Sequence, residues 1–179
     1  MPIEIEKKYR LSGEQAVGLI ERIVAEGGEF LYERHEENLL YRGGVLDERN
    51  AVLRVRKTDA PAFLTYKENA GFEGGVKKRV EIEIEIGDAQ ACEEIIQKLG
   101  FRLSLVYEKR RKAWRLAGCE VVLDELPFGC FMEIEGSTED ILAAEKLLRV
   151  EDVAIESSTY PGLTMKHGKD VGGVMEARF

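Results

Sequence analysis

The feature that most constrains the fold is a strict alternation of charged and apolar residues between residues 77 and 86. Arg79, Glu81, Glu83 and Glu85 alternate there with Val80, Ile82, Ile84 and Ile86. Because side chains of a β-strand point alternately to the two faces of a sheet, this period of two predicts a strand with one charged and one apolar face.

The same alternation recurs along the chain. The N-terminal segment 3–11 places Glu4, Glu6, Lys8 and Arg10 on one face and Ile3, Ile5, Tyr9 and Leu11 on the other. Further charged positions on predicted strands are Arg54, Arg56, Lys67, Lys109, Arg111, Asp124, Glu133 and Glu135. Three amphipathic helices are predicted after the capping residues Ser12, Asp88 and Ser137, the first with Val17, Ile20, Ile23 and Val24 on one face.

Two arrangements satisfy this pattern. The charged faces can point to solvent, where ion pairs contribute little each, around a sandwich core. Alternatively, the sheet curls into a barrel with its charged faces inside and helices covering its apolar outside. Such an interior must pair its charges closely or bind charged ligands, because isolated buried ions are very costly.

The signs of the charges favour the barrel. Carboxylates concentrate in the pairs Glu4/Glu6, Glu81/Glu83 and Glu133/Glu135, and cations in Arg54/Arg56 and Lys109/Arg111. Carboxylates suit hard ions such as Mg²⁺ or Mn²⁺, and Arg and Lys suit phosphoryl oxygens. Neither a G-x-x-x-x-G-K-[ST] nor a G-x-G-x-x-G loop is present, so side chains would hold the phosphates.

Composition limits the other classes of function. The chain has 179 residues and a formal net charge of −8, which predicts one globular domain and argues against broad nucleic-acid binding. No apolar run predicts a leader or a membrane span, so we expect a cytoplasmic protein. Cys92, Cys119 and Cys130 lack metal-type spacing, and with His35 and His167 as the only histidines a zinc cluster or Ser-His-Asp triad has little support.

At these residues the chain resembles the CYTH family of triphosphate tunnel metalloenzymes. The family's E-x-E-x-K signature stands as Glu4-Ile5-Glu6-Lys7-Lys8. The later pattern matches in order: Leu53-Arg54-Val55-Arg56, Thr65-Tyr66-Lys67, Arg79-Val80-Glu81-Ile82-Glu83, Lys109-Arg110-Arg111, Leu123-Asp124-Glu125 and Glu133-Ile134-Glu135. The resemblance covers roughly residues 3–166.

The resemblance implies an α+β fold, in which a roughly eight-stranded antiparallel β-barrel with a charged lumen is flanked by helices. Residues 1–167 would form this single domain and 168–179 a flexible tail. The implied triphosphate-binding residues are Lys8, Arg54, Arg56, Lys67, Arg79, Lys109 and Arg111. The implied metal ligands are Glu4, Glu6, Asp124, Glu133 and Glu135, with Glu83 added, and the catalytic group comprises Glu4, Glu6, Lys8 and Glu81. Tyr160 and Lys166 are looser candidates from the C-terminal region.

The implied activity is metal-dependent processing of a small-molecule triphosphate. Hydrolysis of inorganic triphosphate, thiamine triphosphate or a nucleotide is preferred to the alternative, a class IV adenylate cyclase that converts ATP to cyclic AMP. The pair His35-Glu36 is similar to one in some class IV cyclases, although such a dipeptide in a polar segment is more often surface. A non-catalytic polyphosphate- or nucleotide-binding module is the third hypothesis. A homodimer is compatible with the resemblance, and neither nucleic acid nor membrane is an expected partner.

Overall fold

The computed structural model describes the backbone of residues 3–59, 61–73 and 76–179, and their side chains except at 3, 4, 69–73 and 76–79. The strands are β1 (Ile3–Leu11), β2 (Glu29–Arg42), β3 (Ala51–Lys57), β4 (Ala62–Glu73), β5 (Val76–Ile86), β6 (Arg102–Leu116), β7 (Cys119–Leu126), β8 (Gly129–Glu135), β9 (Lys169–Val171) and β10 (Val174–Ala177). The helices are α1 (Gly13–Ala25), α2 (Val45–Glu48), α3 (Ala89–Lys98), α4 (Thr138–Leu148) and α5 (Tyr160–His167).

Eight antiparallel strands form a closed barrel. Their order is β2-β3-β4-β5-β1-β8-β7-β6, and β6 pairs with β2, which returns the ladder to its first strand. The longest pairing joins β2 and β6 from Glu29↔Arg115 to Arg42↔Arg102. The prediction of an α+β fold built on an eight-stranded barrel with flanking helices is therefore confirmed.

Helices α1 and α4 cover the apolar outer faces of β1, β7 and β8. The Ser12 hydroxyl accepts from the Gln15 backbone N–H, while the Gln15 side chain accepts from the Ser12 N–H, so the predicted capping box starts α1. Its buried residues are Ala16, Leu19 and Ile23. Val17 and Val24, on the apolar face that the sequence indicates, are each 62% exposed. The helix lies against the barrel along a neighbouring stripe.

The outer face of β5 is only partly covered. Helix α3 starts at the predicted cap Asp88 and buries Ile96 against β2, β3 and β6. The alternation predicted for β5 is present, but Ile82 and Ile84 remain 49% and 55% exposed. The expected covering of the apolar outside by helices is thus incomplete at this strand.

The C-terminal residues form regular structure, which corrects the expectation of a flexible tail. Residues 157–162 suggest only a turn in the sequence, yet Thr159 caps α5 by accepting from the Gly162 N–H. The predicted flexible tail 168–179 contains the hairpin β9–β10, and β10 pairs in parallel with β6 at Met175↔Leu105 through Ala177↔Tyr107. Because β7 pairs with β6 only from Arg110 onward, this edge of β6 is open to β10.

Candidate functional site

A cavity of about 970 Å³ occupies the lumen of the barrel. The inward faces of the strands are the charged faces predicted from the alternation, because the alternate residues, such as Tyr9 and Val55, belong to the apolar clusters under the helices. Eleven residues of the predicted site line the cavity: Glu6, Lys8, Arg54, Arg56, Lys67, Glu81, Glu83, Lys109, Arg111, Glu133 and Glu135. The barrel therefore brings together residues from β1, β3, β4, β5, β6 and β8.

On one wall, the cations of β3 and β4 meet the carboxylates of β5. Arg56 Nη2 lies 2.7 Å from Glu83 Oε1, and Arg54 Nη2 lies 3.3 Å from Glu83 Oε2. Arg54 Nη2 is also 3.8 Å from Glu81 Oε1, and Lys67 forms an ion pair with Glu81. The two acids of β5 thus hold three cations of the neighbouring strands in the lumen.

On the opposite wall, the cations of β1 and β6 meet the carboxylates of β7 and β8. Arg111 binds Asp124 through two hydrogen bonds, Nε to Oδ1 at 2.7 Å and Nη2 to Oδ2 at 2.5 Å. Its Nη2 also donates to Glu133 Oε2 at 2.6 Å, and Lys8 Nζ lies 3.1 Å from Glu133 Oε1. Lys109 Nζ is 3.4 Å from Asp124 Oδ2.

These contacts favour the charged forms of Glu133 and Arg111. Burial alone would raise the pKa of Glu133, but Lys8 and Arg111 outweigh burial and hold this pKa far below its usual range. Burial alone would lower the pKa of Arg111, and Asp124 raises it well above the ordinary value. Charges that are segregated strand by strand in the sequence are therefore paired within each wall, the cations of β3 and β4 with the carboxylates of β5 and the cations of β1 and β6 with those of β7 and β8.

Glu36, which the sequence singles out only as part of the pair His35-Glu36, joins the two walls. Its side chain is fully buried, with Oε1 3.9 Å from Arg56 Nη1 and Oε2 3.4 Å from Lys109 Nζ. Arg34 Nε donates to Oε1 at 2.6 Å. The sequence does place Glu36 on the same strand face as Arg34. Residues 33–38 are all polar, however, so no apolar residue shows which of the two faces points inward.

Asn38 is a second residue of β2 that sequence reasoning missed, and like Glu36 it is buried without lining the cavity. It lies opposite Tyr107 on β6 and Arg56 on β3, and its side chain is fully buried. Neither its Oδ1 nor its Nδ2 has a hydrogen-bond partner. A buried amide in this state costs stability, which is typical of a position shaped by function.

The C-terminal candidates separate from each other. Tyr160 lines the cavity, donates to Asp124 Oδ2 at 2.8 Å, and lies beneath Lys8 Nζ, which is 3.7 Å from the centre of its ring. Lys166, further along α5, is exposed and does not line the cavity. Helix α5 therefore contributes the Tyr and not the Lys to the described site.

Two further residues are not placed as fully. The side chains of Glu4 and Arg79 lie outside the described residues, although their backbones pair as Glu4↔Arg79 between β1 and β5.

Asp124 is fully buried and accepts hydrogen bonds from the lining residues Arg111 and Tyr160. Its predicted role as a metal ligand, like the roles assigned to the other site residues, stays a prediction.

The carboxylates on β1 and β8 have the chemistry that a hard divalent ion requires. Glu6 lies opposite Glu135 in the strand register, and Glu133 is two residues further along the same face of β8. Among the described side chains, no three His, Cys, Asp or Glu residues converge to hold an ion. Since Glu133 pairs with Lys8 and Arg111, ion binding at Glu133 would require these pairs to open.

Within the described part of the chain, none of the helices has the length and apolar character needed to cross a bilayer. The barrel, its flanking helices and its ionic lumen define a tunnel-type α+β domain.

Comparison with known proteins identifies the family. The sequence profile of the CYTH domain matches residues 2–159. A Methanocaldococcus jannaschii protein named "Putative adenylate cyclase MJ0240" is 30% identical over 149 residues, which cover 82% of this chain and 83% of that protein. The chain belongs to the CYTH domain family, which is a metalloenzyme class.

Solved structures show the same fold. The PH1012 protein of Pyrococcus horikoshii OT3 superposes with a TM-score of 0.76 at 26% identity, covering 88% of this chain and 96% of that one. A Hippeastrum protein described as "Putative adenylyl cyclase HpAC1" superposes with a TM-score of 0.71 at 20% identity, covering 94% and 98%. The prediction of a triphosphate-processing enzyme is confirmed at the level of the family.

Proposed function

We propose that the protein is a divalent-metal-dependent triphosphatase that holds a linear triphosphate in the barrel lumen. The observation that carries the proposal is the belt of ion pairs on both walls of the ligand-sized cavity in the barrel lumen. Six cations of the predicted site line this cavity: Lys8, Arg54, Arg56, Lys67, Lys109 and Arg111. A triphosphate offers oxygens that can replace the carboxylates as partners of these cations.

Side chains of the lumen would bind and orient the substrate. Arg54, Arg56 and Arg111 present planar guanidinium groups, which suit two-point contact with phosphoryl oxygens. Fixed cations also stabilise the charge that spreads over the equatorial oxygens during phosphoryl transfer. We assign Arg79 to the same clamp from its place in the family pattern.

Glu6, Glu133 and Glu135 would hold Mg²⁺ or Mn²⁺, with Glu4 added from the sequence signature. A bound ion of this kind offsets phosphate charge and lowers the pKa of a coordinated water. Glu81 and Glu83 hold three of the cations, so we propose that they orient the clamp when they do not bind an ion.

Two observations bear on the reaction. The Hippeastrum protein is described as having a dominant triphosphatase activity, which favours hydrolysis. The M. jannaschii relative bears the name of an adenylate cyclase, which keeps cyclisation of ATP as the second candidate. We further propose a small-molecule substrate, a cytoplasmic location and a homodimer, the last to be tested by sedimentation.

The test supplies Mg²⁺ or Mn²⁺ with inorganic triphosphate, thiamine triphosphate or ATP, and measures orthophosphate, pyrophosphate and cyclic AMP. Orthophosphate without cyclic AMP is the expected result. Cyclic AMP with pyrophosphate would establish the cyclase, and binding without turnover would leave a binding module.

Matched variants test the site itself. Arg56→Ala should weaken triphosphate binding about tenfold or more, because it removes a charge-assisted partner from the lumen. Arg110→Ala is the control, since Arg110 points outward and is exposed. Equal binding by the two variants in calorimetry would contradict the placement of triphosphate in the lumen.

A further inference from the structure

Glu36 differs from the carboxylates that line the cavity in where it lies. Glu81, Glu83 and Glu133 reach the cavity surface, whereas Glu36 is fully buried and does not line the cavity. Its cationic neighbours Arg34, Arg56 and Lys109 do line it. Glu36 therefore lies behind the cations and is removed from the space that a ligand would fill.

We infer that Glu36 is a positioning residue, which holds Lys109 and Arg56 toward the substrate and contacts neither the substrate nor a metal ion. This inference rests on the proposed function, because it concerns the same triphosphate site. Lys109 is the residue opposite Glu36 in the β2–β6 register, and Arg56 is on the other neighbouring strand, β3. A single carboxylate thus joins cations from both sides of β2.

Burial explains why three cations surround Glu36. A lone buried carboxylate would take up a proton, and burial alone would raise the pKa of Glu36. Lys109, Arg111, Arg56 and Arg34 outweigh this effect and bring the pKa well below the usual range, so the carboxylate is charged at neutral pH.

Ligand entry should affect the two kinds of carboxylate differently. A triphosphate in the cavity competes with Glu83 and Glu133 for Arg56 and Arg111, because these carboxylates present their pairs at the cavity surface. Glu36 approaches its cations from the far side. It can therefore keep Arg56 and Lys109 in place while their exposed N–H groups turn to phosphate oxygens.

Loss of the charge on Glu36 has two opposing consequences. Glu36→Gln makes the lumen more positive by one unit, which favours binding of a polyanion. The same change releases Lys109 toward Asp124 and Arg56 toward Glu83, their other partners at 3.4 Å and 2.7 Å. Because the bound triphosphate is then no longer held in the reactive orientation, kcat should fall while KM does not rise.

The experiment compares Glu36→Gln, Glu36→Asp and Glu37→Gln with the unaltered protein, using inorganic triphosphate and Mg²⁺ or Mn²⁺. We expect kcat to fall about 10- to 100-fold in Glu36→Gln with KM unchanged or lower. Glu36→Asp keeps the charge and should recover part of kcat. Glu37→Gln is the control, because Glu37 faces outward and pairs with Lys57 and Arg178.

Several outcomes would overturn the inference. An unchanged kcat in Glu36→Gln would exclude a positioning role, and a KM raised in proportion to the lost activity would make Glu36 a direct ligand contact. Equal losses of kcat in the Gln and Asp variants, together with a lower melting temperature in both, would indicate a purely structural residue.

Crystal structures of the variants separate this inference from the proposed function. The Nζ of Lys109 and the guanidinium of Arg56 should move from their original places in Glu36→Gln and stay closer to them in Glu36→Asp. Unmoved cations would overturn the inference even in an active enzyme. Absence of triphosphate binding and turnover in the unaltered protein would instead refute the proposed function.

Discussion

Individual charges inside the barrel are tolerated because each has a close partner of opposite sign. Lys109 is 2% exposed, and burial lowers its pKa, an effect that Arg111 reinforces and that Asp124 and Glu36 oppose. Replacing a whole buried ion pair by apolar residues often changes the stability of the fold little. Removing one member of the pair costs much more stability, because the other charge is left without compensation. Single substitutions here must therefore be interpreted with stability measured alongside activity.

Asn38 is the position where stability and function should change in opposite directions. Both polar atoms of its side chain are buried without a partner, so Asn38→Leu removes their desolvation cost. We expect the free energy of unfolding to rise by about 1 kcal/mol, as measured by chemical denaturation. Triphosphate turnover should fall, because Asn38 lies opposite Arg56, one of the proposed triphosphate-binding residues, in the β2–β3 register.

The companion variant Asn38→Ala separates polarity from packing. It removes the same polar atoms but leaves a cavity, so it should be less stable than Asn38→Leu. If Asn38→Leu is less stable than the unaltered protein, the Asn38 amide has hydrogen-bond partners in solution.

Single elements differ in how far their own sequence determines them. The strand β5 and the helix starts at Ser12, Asp88 and Ser137 are local patterns, and the structure has each of them where the sequence predicts it. The hairpin β9–β10 depends on an open edge of β6 more than 60 residues away, which no local pattern reveals. The two strands of this hairpin are only three and four residues long, so the sequence alone suggests a tail.

The site could also be predicted from local sequence patterns, but only in part. Charged residues in clear alternation, such as Arg54 and Glu133, are on the cavity surface as the pattern requires. Glu36 and Asn38 precede the apolar part of β2, where the polar run 33–38 gives no period. Their inward direction follows from the long pairing with β6, which is a property of the closed barrel and not of the strand alone.

Close backbone approach at Gly168 attaches the C-terminal hairpin to α5. A Cβ at this position would lie 2.6 Å from the Thr164 carbonyl oxygen and 2.7 Å from that of Glu176. Both contacts are to backbone, so Gly168→Ala must displace either α5 or β10. We expect a loss of about 1–3 kcal/mol in unfolding free energy and faster hydrogen exchange in residues 169–179.

Gly18→Ala is a suitable control for this prediction. A Cβ at Gly18 meets no atom within 4 Å, and the residue lies inside α1, where Ala is the better helix former. Its stability should be unchanged or higher. Equal effects of the two substitutions would mean that the hairpin is not held through Gly168.

The whole barrel is a balanced set of charges, and this balance makes a prediction about how ligands bind together. A triphosphate entering alone competes with the carboxylates for Arg and Lys, and a divalent ion entering alone competes with the cations for Glu. When both enter, the cations can turn to phosphate and the carboxylates to the ion, so each ligand relieves the cost of the other. The binding free energies should therefore be coupled and not additive.

Thermal unfolding with four additions measures this coupling: buffer, Mg²⁺ or Mn²⁺, inorganic triphosphate with a chelator, and both ligands at matched free concentrations. A ligand at a hundred times its Kd stabilises the folded state by about 2.7 kcal/mol through mass action alone. We expect the shift in melting temperature with both ligands to exceed the sum of the separate shifts. The excess should persist at moderate salt, because buried pairs are screened less than exposed ones. A shift equal to that sum would show that the ion and the triphosphate bind independently, and would contradict a lumen in which carboxylates and cations are released together.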